Sequence, residues 1–145
     1  MADRPFVRVE VVDPDGLVFE GDVAMVVLPA AYGEVGILPH HAPMVMQLTI
    51  GQMRVKTLDN DWMRLAIAGG FAMVQQDRVI VLADAAELAS EIDRGRAERL
   101  RDRALANLEL IKAGEKTLEG RELFAFREQM ALRKALNRLK VLDEA

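Results

Sequence analysis

Basic side chains recur at helical spacing in the last third of the chain. Arg96, Arg99 and Arg103 are separated by three and four residues, so on a helix they share one face. Guanidinium groups bind phosphate oxygens in a forked geometry, so this face and cations from a second helix could form a polyphosphate pocket. Taken alone, the residues favour the simpler interpretation, a solvated face with ion pairs between neighbouring turns. The polar set is Glu87, Asp93, Arg96, Arg99, Arg103, Arg127, Arg133, Lys134 and Arg138.

The other polar residues form no recognisable catalytic or metal-binding pattern. His40 and His41 are adjacent, so in an extended segment they point to opposite sides, which is poor geometry for one metal ion. Ser90 lies in no Gly-x-Ser-x-Gly motif, and the glycine-rich phosphate loops of nucleotide-binding enzymes are absent from the sequence. We therefore expect a non-catalytic protein with no metal and no required cofactor.

Composition narrows the class of protein further. The chain has 145 residues, of which 51% are hydrophobic, and no cysteine, so it can bury a core but forms no disulfide or thiolate site. It has no apolar run of about 18 residues that would span a membrane, and its first five residues lack the apolar region of a signal peptide. Residues 1–88 carry 6 Lys and Arg against 12 Asp and Glu, whereas residues 89–145 carry 13 against 11. This acidic body argues against nucleic-acid binding.

Short apolar runs separated by turn residues fill the first 85 positions, which is typical of a β-sandwich. Val7, Val9 and Val11 alternate with polar residues, and the Asp-Pro-Asp-Gly run at residues 13–16 predicts a tight reversal. Residues 30–43 are predicted to be a structured loop around a brief strand at 37–38. The other predicted strands cover 17–19, 23–28, 44–49, 53–58, 62–68, 71–74 and 79–83, with breaks at 21–22, 51–52 and 69–70.

The pattern changes near residue 85 to one rich in Ala, Leu, Glu and Arg. Ser90-x-x-Asp93 predicts a capping box at the start of a helix, and residues 114–120 predict a break before a second helix. We therefore predict a β-sandwich over residues 1–86 and an antiparallel α-helical hairpin over 87–145. The predicted apolar stripes are Ile92, Ala97, Leu100, Ala104, Leu108 and Ile111 on the first helix, and Phe124, Ala131, Ala135, Leu139 and Leu142 on the second.

Both stripes are narrow and rich in alanine, which buries little area at about 25 cal/mol per Å². The hairpin is therefore expected to be marginally stable alone and to depend on what it docks against. Periodicity leaves two readings open: a movable hairpin, or one that is permanently packed.

Four motifs follow one another along nearly the whole chain. They are Gly-Glu-Val-Gly-Ile-Leu-Pro-His-His-Ala-Pro at residues 33–43, Gly-Gly-Phe at 69–71, Val-Ile-Val-Leu-Ala-Asp at 79–84, and Ile92-Asp93-x-x-Arg96-Ala97. With the opening residues 9–19, they resemble the ε subunits of rotary F-type ATP synthases, whose mitochondrial counterpart is called δ. His40 stands where many members have Gly, and residues 114–120 are longer than the corresponding segment of many bacterial members.

The resemblance implies a non-catalytic subunit of the central stalk. In this family the sandwich binds the γ subunit and contacts the ring of c subunits, and so transmits torque between the proton-driven ring and the catalytic head of α and β subunits. A member would be peripheral to the cytoplasmic face of the bacterial plasma membrane. By analogy, the candidate interface residues are Gly33, Glu34, Gly36, Ile37, His41, Ala42 and Pro43.

The resemblance also implies regulation by the hairpin. In bacterial members the hairpin folds down on the sandwich or extends along γ into the head, where it inhibits ATP hydrolysis. Basic residues would meet acidic residues of the catalytic subunits there, so inhibition is expected to weaken with salt. The candidates for these contacts are Arg127, Arg133, Lys134, Arg138 and Lys140.

Some members bind ATP in the folded-down hairpin, which implies ATP as a regulatory ligand here. Asp93 or Glu87 would accept hydrogen bonds from the base or ribose, and arginines would hold the phosphates. Leu100 replaces an Ala of that motif, and Arg133-Lys134 reverses a Lys-Arg order. The ATP candidates are Glu87, Ile92, Asp93, Arg96, Ala97, Arg103, Arg127 and Arg138. A standalone nucleotide-binding or adaptor module of the same fold is the alternative function.

Overall fold

A computed structural model describes residues 5–114 and 121–145 and divides the chain into two compact units. A β-sheet unit extends to Glu91, and a helical unit comprises Ile92–Glu144. Residues 87–91 therefore belong with the sheet, whereas the sequence placed the division after residue 86. Residues 115–120, which hold most of the predicted break between the helices, lie outside the described residues.

The sheet unit closes on itself through its first strand. The strand order is β1-β6-β5-β4-β2-β3, and β1 pairs in parallel with β6 while also pairing antiparallel with β2. A short last strand pairs with β5. This arrangement confirms the predicted sheet domain that precedes two helices. The strands are β1 (Val7–Asp13), β2 (Gly16–Ala30), β3 (Gly33–Ile37), β4 (Met44–Thr57), β5 (Trp62–Gln75), β6 (Arg78–Ala83) and β7 (Ala86–Leu88).

Three predicted breaks lie inside continuous strands, so those predictions are wrong. The strands β2, β4 and β5 run through residues 21–22, 51–52 and 69–70, respectively. At two of these places glycine permits a close approach of chain segments. A Cβ atom on Gly51 would lie 2.7 Å from Cβ of Pro29, and Gly70 has a φ of 121° with backbone of β6 against it. A glycine inside a strand marks such an approach as readily as a turn.

The core of the sheet unit consists of side chains that alternate along the strands. Val7, Val9 and Val11 are fully buried, as predicted from their spacing. They pack in one cluster with side chains from the other strands, including Leu28, Met53, Leu65 and Ile67. Every buried residue in the described part of the chain is apolar.

The first helix begins three residues later than a Ser90 cap would place it. Residues Ala86–Leu88 form β7, Ala89–Glu91 form a 3₁₀ turn, and α1 covers Arg94–Lys112. Asp93 is the N-cap, because its Oδ1 accepts a hydrogen bond from the backbone N–H of Arg96 at 3.1 Å. The capping box predicted from Ser90 is therefore wrong, although the carboxylate it included caps the helix.

The helical unit pairs α1 with α2 (Arg121–Glu144) as antiparallel neighbours. Arg94 Nη2 lies 2.8 Å from Asp143 Oδ1, which joins the first turn of α1 to the last turn of α2. The stripe predicted on α1 is confirmed, with Ala97, Ala104 and Ile111 buried. On α2 the prediction is wrong at Ala131, which is exposed. The buried residues of α2 are Ala135, Leu139 and Val141.

The close approach at Gly70 yields a stability prediction. Gly70→Ala would place a Cβ against the Leu82 carbonyl oxygen and 2.8 Å from the Ala83 Cα. Gly16→Ala is the matched control, because Gly16 also has a positive φ (125°) but nothing lies within 4 Å of its Cβ position. We expect Gly70→Ala to lower the free energy of unfolding in urea by about 1–3 kcal/mol more than Gly16→Ala does. Equal losses of unfolding free energy in the two variants would mean that the β5–β6 backbone can shift to make room for a Cβ at Gly70 without a further cost.

Candidate subunit interface

Five apolar side chains lie on the outward side of strands β4, β5 and β6, and we call them the apolar outer face. In the register of the sheet, Val45 lies opposite Met73, which lies opposite Ile80. Phe71 and Leu82 are opposite each other in the next outward row. The exposed fractions are 70% for Val45 and 56% each for Phe71 and Leu82, so these side chains form a contiguous exposed surface.

The apolar outer face has no role in the core of the sheet unit. Between its members lie Ala72, Val74 and Val81, which point inward and are at most 2% exposed. These strands are thus apolar on both sides, although an exposed side of an antiparallel sheet is normally polar. A contiguous apolar patch of this kind marks an interaction site rather than ordinary surface.

A small cavity lies at one edge of the apolar outer face. Met73, Gln75, Gln76, Arg78 and Ile80 line it, and its volume is about 130 Å³. Pockets for drug-sized ligands occupy roughly 300–1,000 Å³, so this cavity suits one side chain of a partner better than a nucleotide. The surface therefore fits a macromolecular partner.

The interface residues predicted in strand β3 divide into exposed and buried positions. Gly33, Glu34 and Gly36 are exposed, and Glu34 Oε2 lies 2.7 Å from Arg54 Nη2 on β4. Ile37 is only 1% exposed and belongs to the core cluster. Its side chain therefore supports the loop from inside rather than offering a contact surface.

The remaining predicted interface residues form the turn before β4. Ala42 and Pro43 are exposed, and His41 is half-buried. The Nδ1 of His41 lies 2.7 Å from the carbonyl oxygen of Ala42. When Nδ1 carries the proton and donates this bond, Nε2 of the neutral ring is an acceptor.

Asp77, which sequence analysis did not single out, fastens this loop to the turn between β5 and β6. The backbone N–H of His40 donates a hydrogen bond of 2.5 Å to Asp77 Oδ1. His40 has a φ of 68°, a left-handed conformation that explains why glycine suits this position. Gln76 and Asp77 also have positive φ (51° and 60°), as a two-residue hairpin turn requires. Because 37 residues separate His40 from Asp77, no local sequence signal connects them.

The predicted ATP residues occupy different structural positions. Arg96 and Arg103 are exposed on α1, and Arg127 is exposed on α2. Ile92 and Ala97 are buried, so their side chains pack rather than offer polar contacts. The other three have structural contacts in their own elements: Asp93 caps α1, Arg138 is a half-buried residue of α2, and Glu87 pairs with Ala66 between β7 and β5.

The residues predicted to contact catalytic subunits all lie on α2. Arg127, Arg133 and Lys140 are exposed, whereas Lys134 and Arg138 are half-buried. Arg133 Nη1 lies 3.7 Å from the sulfur of Met130, one turn earlier.

Residues 5–114 and 121–145 contain neither a candidate membrane span nor a candidate metal site. No helix there is long and apolar enough to cross a membrane. In the same residues, no three His, Asp or Glu side chains are grouped so that they could hold a metal ion.

The family model and two similar curated proteins point to the same family. Residues 6–89 match the family described as ATP synthase, Delta/Epsilon chain, beta-sandwich domain. The ATP synthase epsilon chain of Exiguobacterium sp. is 43% identical over 137 residues, which cover 94% of this chain and 96% of that protein. The ATP synthase epsilon chain of Halalkalibacterium halodurans is also 43% identical, over 140 residues, with 94% of this chain and 97% of that protein covered.

Two solved structures with the same fold are of mitochondrial ATP synthases. A chain in the Euglena gracilis OSCP/F1/c-ring structure matches with a TM-score of 0.77 at 21% identity, covering 96% of this chain and 82% of that one. A chain in the Tetrahymena thermophila central stalk/c-ring structure matches with a TM-score of 0.54 at 12% identity, covering 94% and 96%. At these identities the likeness concerns the fold.

The fastening of the loop by Asp77 yields a second stability prediction. Asp77→Ala removes the acceptor of the His40 N–H and places alanine at a positive φ, so we expect the free energy of unfolding to fall by about 1–3 kcal/mol. Asp77→Asn keeps an acceptor oxygen and tolerates this φ, so its loss is expected to be under about 1 kcal/mol. Urea unfolding followed by Trp62 fluorescence measures both. Equal losses for the two variants would contradict the role of the hydrogen bond.

Proposed function

The chain belongs to the ATP synthase delta/epsilon family, and we propose that it is a non-catalytic central-stalk subunit which docks through its apolar outer face. The observation that carries this proposal is the cross-strand alignment of exposed apolar side chains on β4, β5 and β6. A surface of this kind is stabilised when a partner removes it from water, at about 25 cal/mol per Å². Aromatic and methionine side chains, here Phe71 and Met73, are enriched at the centres of such interfaces.

The partners that fit are the γ subunit and the ring of c subunits, with the catalytic α and β subunits reached by the hairpin. The Euglena match is a chain of an assembly that contains F1 and a c-ring, and the Tetrahymena match is from a central stalk with a c-ring. The loop over residues 33–43 and the apolar outer face share the β5–β6 turn as a fixed support through Asp77. Both surfaces can thus engage partners without rearrangement of the sheet. The complex would place this chain at the cytoplasmic face of a bacterial membrane, coupling the proton-driven ring to the head.

The helical unit has the features of a regulatory element. Its buried residues on α1 are two alanines and one isoleucine, so its internal interface is small. The exposed cations of α2, including Arg127, Arg133 and Lys140, would meet acidic surfaces of the catalytic subunits and inhibit ATP hydrolysis. Such contacts weaken as salt screens them.

ATP would act on the helical unit by stabilising only the form that binds it. The stabilisation is RT ln(1 + [L]/Kd), which is about 0.4 kcal/mol when the ATP concentration equals Kd. Arg96 and Arg103 lie one above the other on an exposed side of α1, where guanidinium groups can reach phosphate oxygens. ATP can therefore control the hairpin only if the Kd for ATP is below the millimolar range.

Binding to the cognate γ-containing head complex tests the docking surface. Phe71→Asp puts a charge in the centre of the apolar outer face, and we expect affinity to fall by about 30-fold or more because a hot-spot residue contributes at least about 2 kcal/mol. Leu105→Asp is the control, since Leu105 is also an exposed apolar side chain (45%) but lies on α1 in the helical unit. Surface plasmon resonance with immobilised complex measures both variants.

This binding experiment has three possible results, and each leads to a different conclusion about the docking surface. Loss of binding by Phe71→Asp together with retention of binding by Leu105→Asp supports the docking surface. Equal affinities of both variants would rule out the apolar outer face as the contact. Absence of binding by the unmodified chain would favour the alternative, a standalone adaptor module of the same fold.

Calorimetry with ATP tests the regulatory ligand. We expect Arg96→Ala to weaken ATP binding by about tenfold, because it removes a charge-assisted hydrogen bond to phosphate. Arg101→Ala is the control, since Arg101 Nε is bonded to Asp102 Oδ1 at 3.0 Å on another side of α1. No heat above that of buffer at millimolar ATP, or equal effects of the two substitutions, would refute ATP control.

A further inference from the structure

An exposed indole with two cations beside it lies near the turn between β4 and β5, away from the apolar outer face. Trp62 is the only tryptophan of the chain and is 46% exposed. Arg54 Cζ lies 5.8 Å from the centre of its ring, and Lys56 Nζ lies 6.0 Å from it. We call these three residues the indole–cation cluster.

The alternation of the strands places the cluster outside the core. Met53 and Val55 flank Arg54 and are fully buried, so Arg54 and Lys56 project from the opposite side of β4. In the sheet register Lys56 lies opposite Trp62. Arg64 lies opposite Arg54 and donates a hydrogen bond to Gln52 at 2.8 Å, which adds a third cation to this side.

This concentration of positive charge is unusual for the sheet unit. Residues 1–88 contain only 6 Lys and Arg against 12 Asp and Glu, and three of these cations are on this one side of β4 and β5. Like charges placed directly opposite each other across a ladder are destabilising. A local excess of positive charge of this kind attracts anionic groups.

The two cations of the cluster differ in how they are held. Glu34 Oε2 binds Arg54 Nη2 at 2.7 Å, which fixes the guanidinium beside the ring. Within the described part of the chain Lys56 makes no ion pair, and its contact is with the ring of Trp62. The ammonium group of Lys56 is therefore available to an incoming anion, while Trp62 offers apolar contact area next to it.

We propose that the indole–cation cluster binds an acidic segment of a partner polypeptide, with a carboxylate on Lys56 and apolar groups on Trp62. Tryptophan and arginine are the residues most enriched among the energetic centres of protein interfaces. The Arg54–Glu34 ion pair joins the cluster to β3, whose residues are interface candidates, so one partner could cover both. This binding does not depend on which protein supplies the acidic segment.

A polypeptide carboxylate fits this surface better than an anionic membrane does. Asp59 and Asp61 are exposed in the turn that adjoins Trp62, and a broad negative surface would approach them together with the cluster. Repulsion would then oppose attraction within a Debye length of about 8–10 Å. A single acidic side chain can reach Lys56 without bringing further negative charge to the turn.

Titration of the full chain with an end-blocked Leu-Leu-Glu-Leu-Leu peptide, followed by Trp62 fluorescence at low salt, tests the proposal. We expect a saturable emission change that disappears as salt is raised. Lys56→Gln should weaken binding about tenfold, since it removes a charge-assisted contact. Arg78→Gln removes a cation of the sheet unit outside the cluster and should change affinity less than about twofold.

The same titration includes results that would overturn the proposal. A peptide that produces no saturable change, or equal weakening by Lys56→Gln and Arg78→Gln, would show that the cluster does not select a carboxylate. A response to inorganic phosphate or to phosphatidylglycerol vesicles without a response to the peptide would assign the cluster to those ligands instead. Urea unfolding of Lys56→Gln, with a midpoint close to that of the unmodified chain, ensures that weakened binding is not a folding defect.

Discussion

Cross-strand register in β4, β5 and β6 is the constraint on which the rest of the molecule depends. Because side chains alternate between the two sides of a strand, the register that buries Ala72, Val74 and Val81 also aligns Val45, Met73 and Phe71 outward. A shift by one residue would exchange the core and the docking surface. The hydrophobic effect thus fixes the interface while it folds the sheet, and the interface needs no separate ordering when a partner binds.

The two units differ in how much apolar side-chain area they bury, which fits a division of work, with a docking function for the sheet unit and a regulatory function for the helical unit. The sheet unit closes through β1 and buries large aliphatic side chains from six strands, so it suits a permanent joint. The described part of the helical unit buries fewer side chains, namely Ile92, Ala97, Ala104, Ile111, Ala135, Leu139 and Val141, and an exposed Arg94–Asp143 pair joins its ends. Exposed ion pairs contribute only about 0–1 kcal/mol. A small buried interface and a weak ion pair suit the proposed regulation of this unit by ATP or by a change of partner.

Sequence reasoning identified the fold, the α1 stripe and the family, because these depend on local periodicity and ordered motifs. It misread glycines as turns at residues 51–52 and 69–70, since close approach of distant segments leaves no local signal. It placed Ile37 at the interface although that side chain is in the core. It also missed the apolar outer face, because a strand that is apolar on both sides has the same sequence pattern as a strand buried on both sides. The contact between His40 and Asp77 depends on tertiary structure.

ATP hydrolysis by the cognate catalytic head complex tests the division of work most directly. The measurement compares the full chain with a chain that ends at Glu91, where the sheet unit ends. If the sheet unit docks and the helical unit inhibits, the shortened chain stays bound and hydrolysis becomes faster. Loss of binding by a folded shortened chain, or equal rates with both chains bound, would contradict this account.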